Sequence, residues 1–221
     1  LGGYGLSAKI LYEDIVPGIN PLVPSNVLGF TTGLLSGTGV PNGNNTTVVG
    51  KSPLTGTWGD SRMGAFFGCE LKHAGYDAVF LYGKADEPAY IWIDDDECEV
   101  RDATDLWGMD TYHTQDILRD ELGDNHVQVA CIGPSGEKLS LISCIVTDRG
   151  RAAGRSGLGA LMGSKNLKAI AVRGTRHPAL FDRDMLRELT RKWLESAKKD
   201  QNFRRLAKYG TMQEMLSAAY I

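Results

Sequence analysis

The sequence has few of the features that mark nucleic-acid-binding or membrane proteins. Its 24 lysines and arginines are outnumbered by 27 aspartates and glutamates, which gives a net charge of −3, whereas phosphate binding needs a basic surface. No apolar run approaches the ~18 residues of a membrane span, and no signal peptide is visible. We therefore expect no nucleic-acid partner, no membrane association and a cytoplasmic location.

Cysteine is scarce too. The four cysteines, none of them in a CxxC pair, are Cys69, Cys98, Cys131 and Cys144. No cysteine–histidine cluster has the spacing of metal ligands, so we expect neither a zinc site nor an iron–sulfur cluster made from this segment alone. We interpret the cysteines as free buried thiols in a reducing cytosol. The histidines, interpreted as structural or surface residues, are His73, His113, His126 and His177.

What remains is the composition of an ordinary globular protein, with 42% hydrophobic and 23% charged residues in 221. That is enough to form a core without disulfide or metal staples. We predict one domain over residues 1–176 and the charged, helical start of a linker or second domain over 177–221. Because the sequence begins at Leu1, inside what reads as a motif, we expect a fragment of a longer protein.

Hydrophobic periodicity and turn residues predict the elements of the first domain. The predicted strands are residues 27–35, 46–49, 78–82, 127–132, 139–146 and 167–172, with a hairpin at 89–102. The predicted helices are residues 6–15, 65–73 and 160–166, with a further helix capped by Asp110 or Thr111. Glycine-rich loops are predicted at residues 37–45, 59–64 and 149–159.

Two stretches of the sequence repeat one another. Residues 61–68 (SRMGAFFG) and 156–163 (SGLGALMG) share the form S-x-φ-G-A-φ-φ-G, where φ is apolar. Each is followed by Leu-Lys and then by an apolar strand that ends in glycine. The two copies suggest a duplicated loop–helix–strand unit. We predict a pseudo-twofold axis that superimposes residues 61–83 on residues 156–174.

A glycine loop that precedes a helix is suited to anion binding. Glycine permits a positive φ and a close approach of the backbone to a ligand, and a helix N-terminus adds free N–H groups. In the second loop we predict such a cradle from Gly154, Gly157 and Gly159, with Arg151 and Arg155 donating to phosphate oxygens. A glycine-rich turn with solvated arginines is the alternative. A Rossmann unit fits poorly, because no strand–GxGxxG–helix with an acidic residue ~20 positions on can be drawn.

Several motifs, in order along the chain, carry a family resemblance. They are Gly2-Gly3-x-Gly5-Leu6-x-Ala8-Lys9, the segments 51–56 (KSPLTG) and 67–77 (FGCELKHAGYD), residues 132–137 (IGPSGE), and residues 151–169 (RAAGRSGLGALMGSKNLKA). Up to about Gly174 the sequence resembles the first domain of the aldehyde:ferredoxin oxidoreductase family. The resemblance implies an α+β domain of mixed β-sheets and short helices. Its two similar halves, related by a pseudo-twofold, form a saddle for a metal bound by two pterins, whose phosphates are bridged by magnesium.

The resemblance also implies the site residues. Those of the first loop are Ser61, Arg62, Met63 and Gly64. Those of the second loop are Arg151, Ala152, Ala153, Gly154 and Arg155, followed by Gly157 and Gly159. The main-chain carbonyls of Arg62 and Ala152 match the positions that ligate magnesium. Asn45 stands where many members have an arginine that links a pterin to the iron–sulfur cluster.

The implied activity is the two-electron oxidation of an aldehyde to a carboxylic acid at a tungsten- or molybdenum-bis-pterin. Electrons would pass through a [4Fe-4S] cluster, bound by domains absent from this chain, to ferredoxin or another electron-transfer subunit. We find no catalytic acid or base in the segment, and we expect that alone it neither holds the metal nor oxidises aldehydes. A homo-oligomer is left open. The alternative is a non-catalytic pterin- or phosphate-binding module, or a structural remnant.

Overall fold

A computed structural model describes residues 2–214, and contacts divide the chain into two units between Pro178 and Ala179. In the first unit, strands and short helices alternate. They are α1 (Gly3–Asp14), β1 (Leu28–Thr32), β2 (Thr46–Lys51), β3 (Trp58–Met63), α2 (Phe67–His73), β4 (Ala78–Leu81), β5 (Ala89–Asp94), β6 (Glu97–Asp102), α3 (Thr111–Leu122), β7 (Gln128–Cys131), α4 (Pro134–Glu137), β8 (Ile145–Thr147), β9 (Arg151–Ala153), α5 (Leu158–Ser164) and β10 (Leu167–Arg173).

The strands form two sheets, in the orders β3-β2-β1-β4 and β6-β5-β10-β7-β8-β9. All pairs are antiparallel except β10 with β5, which are parallel, so the second sheet is mixed. Sheets that are almost entirely antiparallel and are covered by short helices confirm the predicted α+β class.

The first sheet is repeated, strand for strand, inside the second. The path β1-β2-β3-α2-β4 follows the same pairing order as β7-β8-β9-α5-β10, and the 12-residue helices α1 and α3 precede the two paths. The register repeats as well. Arg62 lies opposite Thr47 on β2, and Ala152 lies opposite Val146 on β8. The chain therefore contains two similar halves, residues 2–83 and 84–178, and the axis that relates them stays a prediction.

The repeat found in the sequence matches the structural repeat only in part. Ala78 of β4 and Ala169 of β10 are equivalent, because each lies opposite the corresponding residue of β1 or β7. The match of Leu71 with Leu167 is wrong, since Leu71 lies in α2 and Leu167 begins β10. The shared letters at residues 61–68 and 156–163 are offset by about five positions from the structural equivalence.

Each sheet packs on both of its faces, because successive strand residues point to opposite sides. In β5, Ile91 and Ile93 enter a central core between the sheets, whereas Tyr90 and Trp92 enter a second core on the outer face. The inner helices α2 and α5 both contact both sheets. The outer helices α1 and α3 cover the first and second sheets respectively. The layers thus repeat with the halves.

Three predicted elements are wrong in whole or in part, and one of them is the loop at residues 149–159, which contains the strand β9. Of residues 59–64, predicted as a loop, residues 59–63 belong to β3, whose buried Gly59, Ser61 and Met63 alternate with more exposed neighbours. This period of two was hidden because glycine, aspartate and serine are poor strand formers. Residues 139–146, predicted as a strand, are a loop up to the short β8, because Leu139 has a φ of 58° and Ile142 points into solvent.

The second unit consists of α6 (Arg183–Lys199), α7 (Gln201–Tyr209) and a 3₁₀ turn. Asp182 and Asp200 cap the two helices by accepting backbone N–H bonds in their first turns. Trp193 packs edge-on against Phe203, with ring centroids 6.4 Å apart. Residues 215–221, the end of the predicted second part, lie outside the described residues. Across residues 2–214, every helix is too short or too polar to span a bilayer.

Candidate functional site

The two equivalent edge strands, β3 and β9, approach each other where the halves meet. Between them lies a cavity of about 660 Å³. It is lined by Tyr4, Asp60, Ser61, Arg62, Ala152, Gly154 and Arg155. The unpaired edges of two sheets expose backbone N–H and C=O groups. The cavity therefore combines backbone groups from both halves with two arginine side chains.

Hydrogen bonds between the halves fix the wall of this cavity. The backbone N–H of Arg155 donates to Ser61 Oγ at 3.1 Å, and Ser156 Oγ donates to the Asp60 carbonyl at 3.2 Å. Behind them, the fully buried Ser52 donates from Oγ to the Ser156 carbonyl at 2.8 Å. Because Ser61 and Ser52 are buried, these bonds are shielded from competition with water. The second loop is held against β3 with its arginine side chains left on the surface.

Three arginines near the cavity have no acidic partner. Among the described residues of the first unit, Arg62, Arg151 and Arg155 take part in no salt bridge. The other arginines of that unit pair with carboxylates, or in the case of Arg119 donate to the Val127 carbonyl. Guanidinium groups without a carboxylate are available to bind an anion, with two or more N–H donors each.

An aromatic pair borders the cavity on the side of the first half. Trp58 Nε1 donates to the Tyr4 hydroxyl at 3.0 Å and also lies 3.1 Å from Asp60 Oδ1. The Arg62 guanidinium carbon lies 5.8 Å from the centre of the Tyr4 ring, within cation–π distance. Sequence reasoning missed Tyr4 and Asp60 as cavity residues. Their positions in the sequence could have indicated them, since Tyr4 lies inside the opening glycine motif and Asp60 directly precedes Ser61.

The structure brings together only part of the predicted set. Ser61, Arg62, Ala152, Gly154 and Arg155 line the cavity. The equivalent residues Met63 and Ala153 are buried in the central core, where they hold β3 and β9 in place instead of facing a ligand. The predicted residues that do not line the cavity are Asn45, Met63, Gly64, Arg151, Ala153, Gly157 and Gly159.

The predicted cradle of glycine N–H groups is wrong for the helix end of the loop. Gly157 has a φ of 65°, but Gly154 and Gly159 do not have positive φ values. Gly157 and Gly159 are buried, and the Gly159 N–H donates to the Ser143 carbonyl at 3.3 Å. A side chain at residue 157 would overlap the Leu141 carbonyl. These two glycines therefore allow the loop to pack on residues 139–144, and a Gly157→Val variant would disturb folding as well as any ligand.

The four cysteines are free. Cys69 and Cys131 are buried, as predicted, and burial raises the pKa of the Cys131 thiol to about 12. The prediction of a buried thiol is wrong for Cys98, which is exposed because it lies on the edge strand β6, and Cys144 is only partly buried.

The histidines lie away from the cavity lining. His73 Nε2 lies 3.2 Å from the Gly37 carbonyl oxygen, and its ring packs edge-on against His177. His113 and His126 are exposed. His113 lies beside Asp110, and His126 lies beside Asp124. Their surroundings agree with structural and surface positions.

Comparisons with known proteins assign this frame to a family. A family model described as aldehyde ferredoxin oxidoreductase, N-terminal domain, matches residues 1–174. The chain belongs to this family. A tungsten-containing aldehyde ferredoxin oxidoreductase from Pyrococcus horikoshii is 45% identical over 212 residues, which are 96% of this chain and 35% of the relative. The resemblance that the motifs predicted is confirmed.

Proteins with other names share the same domain. An aliphatic sulfonate oxidoreductase, WOR-like subunit, from Pyrococcus furiosus is 35% identical, with 88% of this chain and 34% of the relative covered. Among solved structures, the active site complex BamBC of benzoyl coenzyme A reductase with 1,5 dienoyl-CoA matches with a TM-score of 0.88 at 39% identity. That match covers 91% of this chain and 31% of the other. The chain thus spans about a third of the length of the relatives it matches.

Proposed function

We propose that this chain is the cofactor-binding N-terminal part of a tungsten-dependent oxidoreductase that converts aldehydes to carboxylic acids and passes electrons to ferredoxin. The observation that carries the proposal is the cavity between β3 and β9. There, equivalent backbone positions from two halves meet, and three arginines lack acidic partners. A ligand with two similar anionic ends would match this arrangement.

The residues of the cavity fit such a ligand. Arg62 and Arg155 line it, Arg151 lies in the same strand as Ala152, and each can donate paired N–H bonds to phosphate oxygens. Gly154 leaves the approach open, since an added Cβ there would meet no atom within 4 Å. The chain's part is to bind the phosphates of a bis-pterin, orient it across the two halves and exclude water from one side. The bound metal would supply the two-electron redox chemistry.

The equivalence of Arg62 and Ala152 also supports a magnesium site. Both residues lie on edge strands and opposite the same position of the neighbouring strand in their respective halves. Two main-chain carbonyls related in this way would offer matched oxygen ligands to one ion, and magnesium takes oxygen ligands from protein and phosphate together. In this proposal Asn45 lies beyond the cavity lining and contributes no direct contact.

The parts of the reaction that this chain does not supply belong to the rest of the protein. We place the [4Fe-4S] cluster, the contacts to ferredoxin and the groups that act on the aldehyde there. Aldehyde is favoured over other substrates because relatives of that name reach 45% identity, against 35% for the sulfonate oxidoreductase subunit. The named relatives are enzymes, which disfavours a non-catalytic binding module.

Metal and pterin analysis of the full-length protein tests the proposal. Purified without oxygen, it should contain about one tungsten and two pterins per chain and should reduce ferredoxin with an aldehyde. An Arg62→Leu/Arg155→Leu variant should lose most of its pterin and tungsten while its circular dichroism stays that of the parent. A parent protein without pterin would contradict the proposal. So would full pterin content in the double variant.

A further inference from the structure

We infer that Tyr4 is a positioning residue, which holds the Arg62 guanidinium over its ring and directs it into the cavity between β3 and β9. This inference rests on the proposed function, because it concerns the same anion site. Tyr4 is the second residue of α1 and lines the cavity beside Arg62. The guanidinium carbon lies 5.8 Å from the centre of the Tyr4 ring, a distance at which a cation is attracted by the ring face.

The Tyr4 ring is itself held in place. Its hydroxyl accepts a hydrogen bond of 3.0 Å from Trp58 Nε1, and the two rings pack at a centroid distance of 5.6 Å and a tilt of 54°. Tyr4 and Trp58 are 41% and 38% exposed, so the pair forms part of the cavity rim and is not buried in the core. A fixed ring can restrict the rotamers of a long arginine side chain, which lowers the entropy lost when that arginine binds a ligand.

The Asp60 carboxylate, which could pair with Arg62, lies beside Trp58 instead. Asp60 Oδ1 lies 3.1 Å from the same indole nitrogen, and the described structure contains no salt bridge between Asp60 and Arg62 although both line the cavity. The charge of Arg62 is therefore available to a ligand. In effect, Trp58 engages both the hydroxyl of Tyr4 and the carboxylate that would otherwise compete for the guanidinium.

Among the described residues of the second half, the arrangement has no counterpart. Tyr112 is the second residue of α3 and corresponds to Tyr4, but Ala152 replaces Arg62 at the equivalent strand position. The stacked cation is therefore not required by the repeated frame. It is an addition to the first half, whose single arginine is Arg62.

The test is the rate at which the full-length, cofactor-loaded protein releases its pterin at raised temperature in the presence of a chelator. Tyr4→Leu should shorten the half-life of retention about two- to fivefold, the range of a cation–π contact at a partly exposed site. Tyr4→Phe keeps the ring but loses the hydrogen bond from Trp58, so its half-life of retention should fall between those of Tyr4→Leu and the parent. In an Arg62→Leu background, Tyr4→Leu should add nothing. Tyr12→Leu, on an exposed residue of the same helix, serves as the matched control.

A second measurement separates positioning from simple loss of structure. Salt screens guanidinium–anion contacts, so added salt should accelerate pterin release less in Tyr4→Leu and Arg62→Leu than in the parent. An equal effect of Tyr4→Leu with and without Arg62 would overturn the inference. So would parent-like retention in Tyr4→Leu, or a Tyr4→Phe variant as poor as Tyr4→Leu. In those outcomes the parent still holds pterin, whereas a parent without pterin would overturn the proposed function and this inference together.

Discussion

The two halves of the first unit share a frame and differ in what they attach to it. Four strands, an outer helix of 12 residues and an inner helix of seven recur in the same order and register. The second half adds the β5–β6 hairpin at one edge and has α4 between β7 and β8, where the first half has a loop of the same length. The first half adds the Tyr4–Trp58 pair. Equivalent backbone positions can thus carry different side chains. These differences identify the positions at which packing or ligand binding, and not the shared frame, determines the residue.

Helix α4 gives the second half a buried ion pair that the described residues of the first half lack. Lys168 Nζ is fully buried, lies 2.5 Å from Glu137 Oε1 and donates to the Met109 carbonyl at 2.7 Å. Lys168→Met should leave the buried Glu137 carboxylate without its cationic partner, with only the Gly108 N–H still donating to it, and should lower the free energy of unfolding by about 3–5 kcal/mol. Denaturant unfolding measures this.

The exposed pair on α1 is the control for that experiment. Lys9 and Glu13 lie 2.7 Å apart and are each about half exposed. Lys9→Met should cost about 0.5 kcal/mol or less, because water and salt screen the pair. Equal effects of the two lysine substitutions would mean that the buried pair between Lys168 and α4 contributes nothing specific to stability.

The second loop carries an arginine that has no counterpart in the shorter loop of the first half. Arg155→Ala should weaken cofactor binding by the roughly 1.5–3 kcal/mol of a charge-assisted hydrogen bond, or about 10- to 100-fold. Pterin content of the full-length protein, titrated during reconstitution, would show the loss. Arg101→Ala on the far edge strand β6, whose side chain pairs with Glu99, should bind like the parent. If the Arg155→Ala variant binds pterin like the parent, the alternative of a glycine-rich turn with solvated arginines is correct.

The sixth residue of each inner helix tests the packing difference. It is Gly163 in α5 and Lys72 in α2. A Cβ on Gly163 would overlap the Gly136 carbonyl, so Gly163→Ala should destabilise by about 1–3 kcal/mol even though alanine favours helix by ~1 kcal/mol. Lys72→Ala loses only the pair with Asp77 and should cost less than about 1 kcal/mol. Thermal unfolding of both variants decides, and a stabilised Gly163→Ala would contradict the close contact.

The smallest expected effect concerns the contact that joins the halves. Arg173 reaches Glu70 of the first half and Asp124 of the second, at 2.7 and 2.6 Å. The His126 N–H and then Arg173 lower the pKa of Asp124 to about 2. A carboxylate with a lowered pKa stabilises the fold above its ordinary value near 4, and this contribution is lost as the pH falls toward 2.

Asp124→Asn should therefore cost about 1 kcal/mol at pH 6, a figure reduced for the partial exposure of Asp124. The difference from the parent should shrink between pH 4 and about pH 2, the interval between the two pKa values. Unfolding experiments at a series of pH values would reveal it. A difference that stays constant down to pH 2 would show that the Asp124 charge is not the cause.

Several features of this comparison could be predicted from sequence and others could not. The apolar segments that begin at Ala78 and Ala169 predicted the correct equivalence of β4 and β10, because buried strands are recognisable as runs of apolar residues. The glycine-containing repeat at residues 61–68 and 156–163 predicted a wrong register between the two halves. Gly157 and Gly159 are glycines because their backbone packs closely against residues 139–144. No local sequence pattern reveals this tertiary contact. The edge strand β3 was missed for a different reason, since its glycine, aspartate and serine are poor strand formers.

The candidate site shows the same limit. Ser61, Arg62, Ala152, Gly154 and Arg155 follow from the family motifs and do line the cavity. Tyr4 and Asp60 join it only because α1 packs on the first sheet and β3 runs along the cavity edge. Their place in the site depends on the arrangement of elements distant in sequence, and only a three-dimensional structure supplies that.

A crystal structure of the full-length, tungsten-loaded protein would test the central claim most directly. The account predicts a bis-pterin between β3 and β9, with its phosphates contacted by Arg62 from one half and by Arg155 from the other. A magnesium ion should lie between the carbonyl oxygens of Arg62 and Ala152. Pterins bound elsewhere on the chain, or phosphates contacted by one half alone, would contradict the claim that the repeated edge strands form the cofactor site.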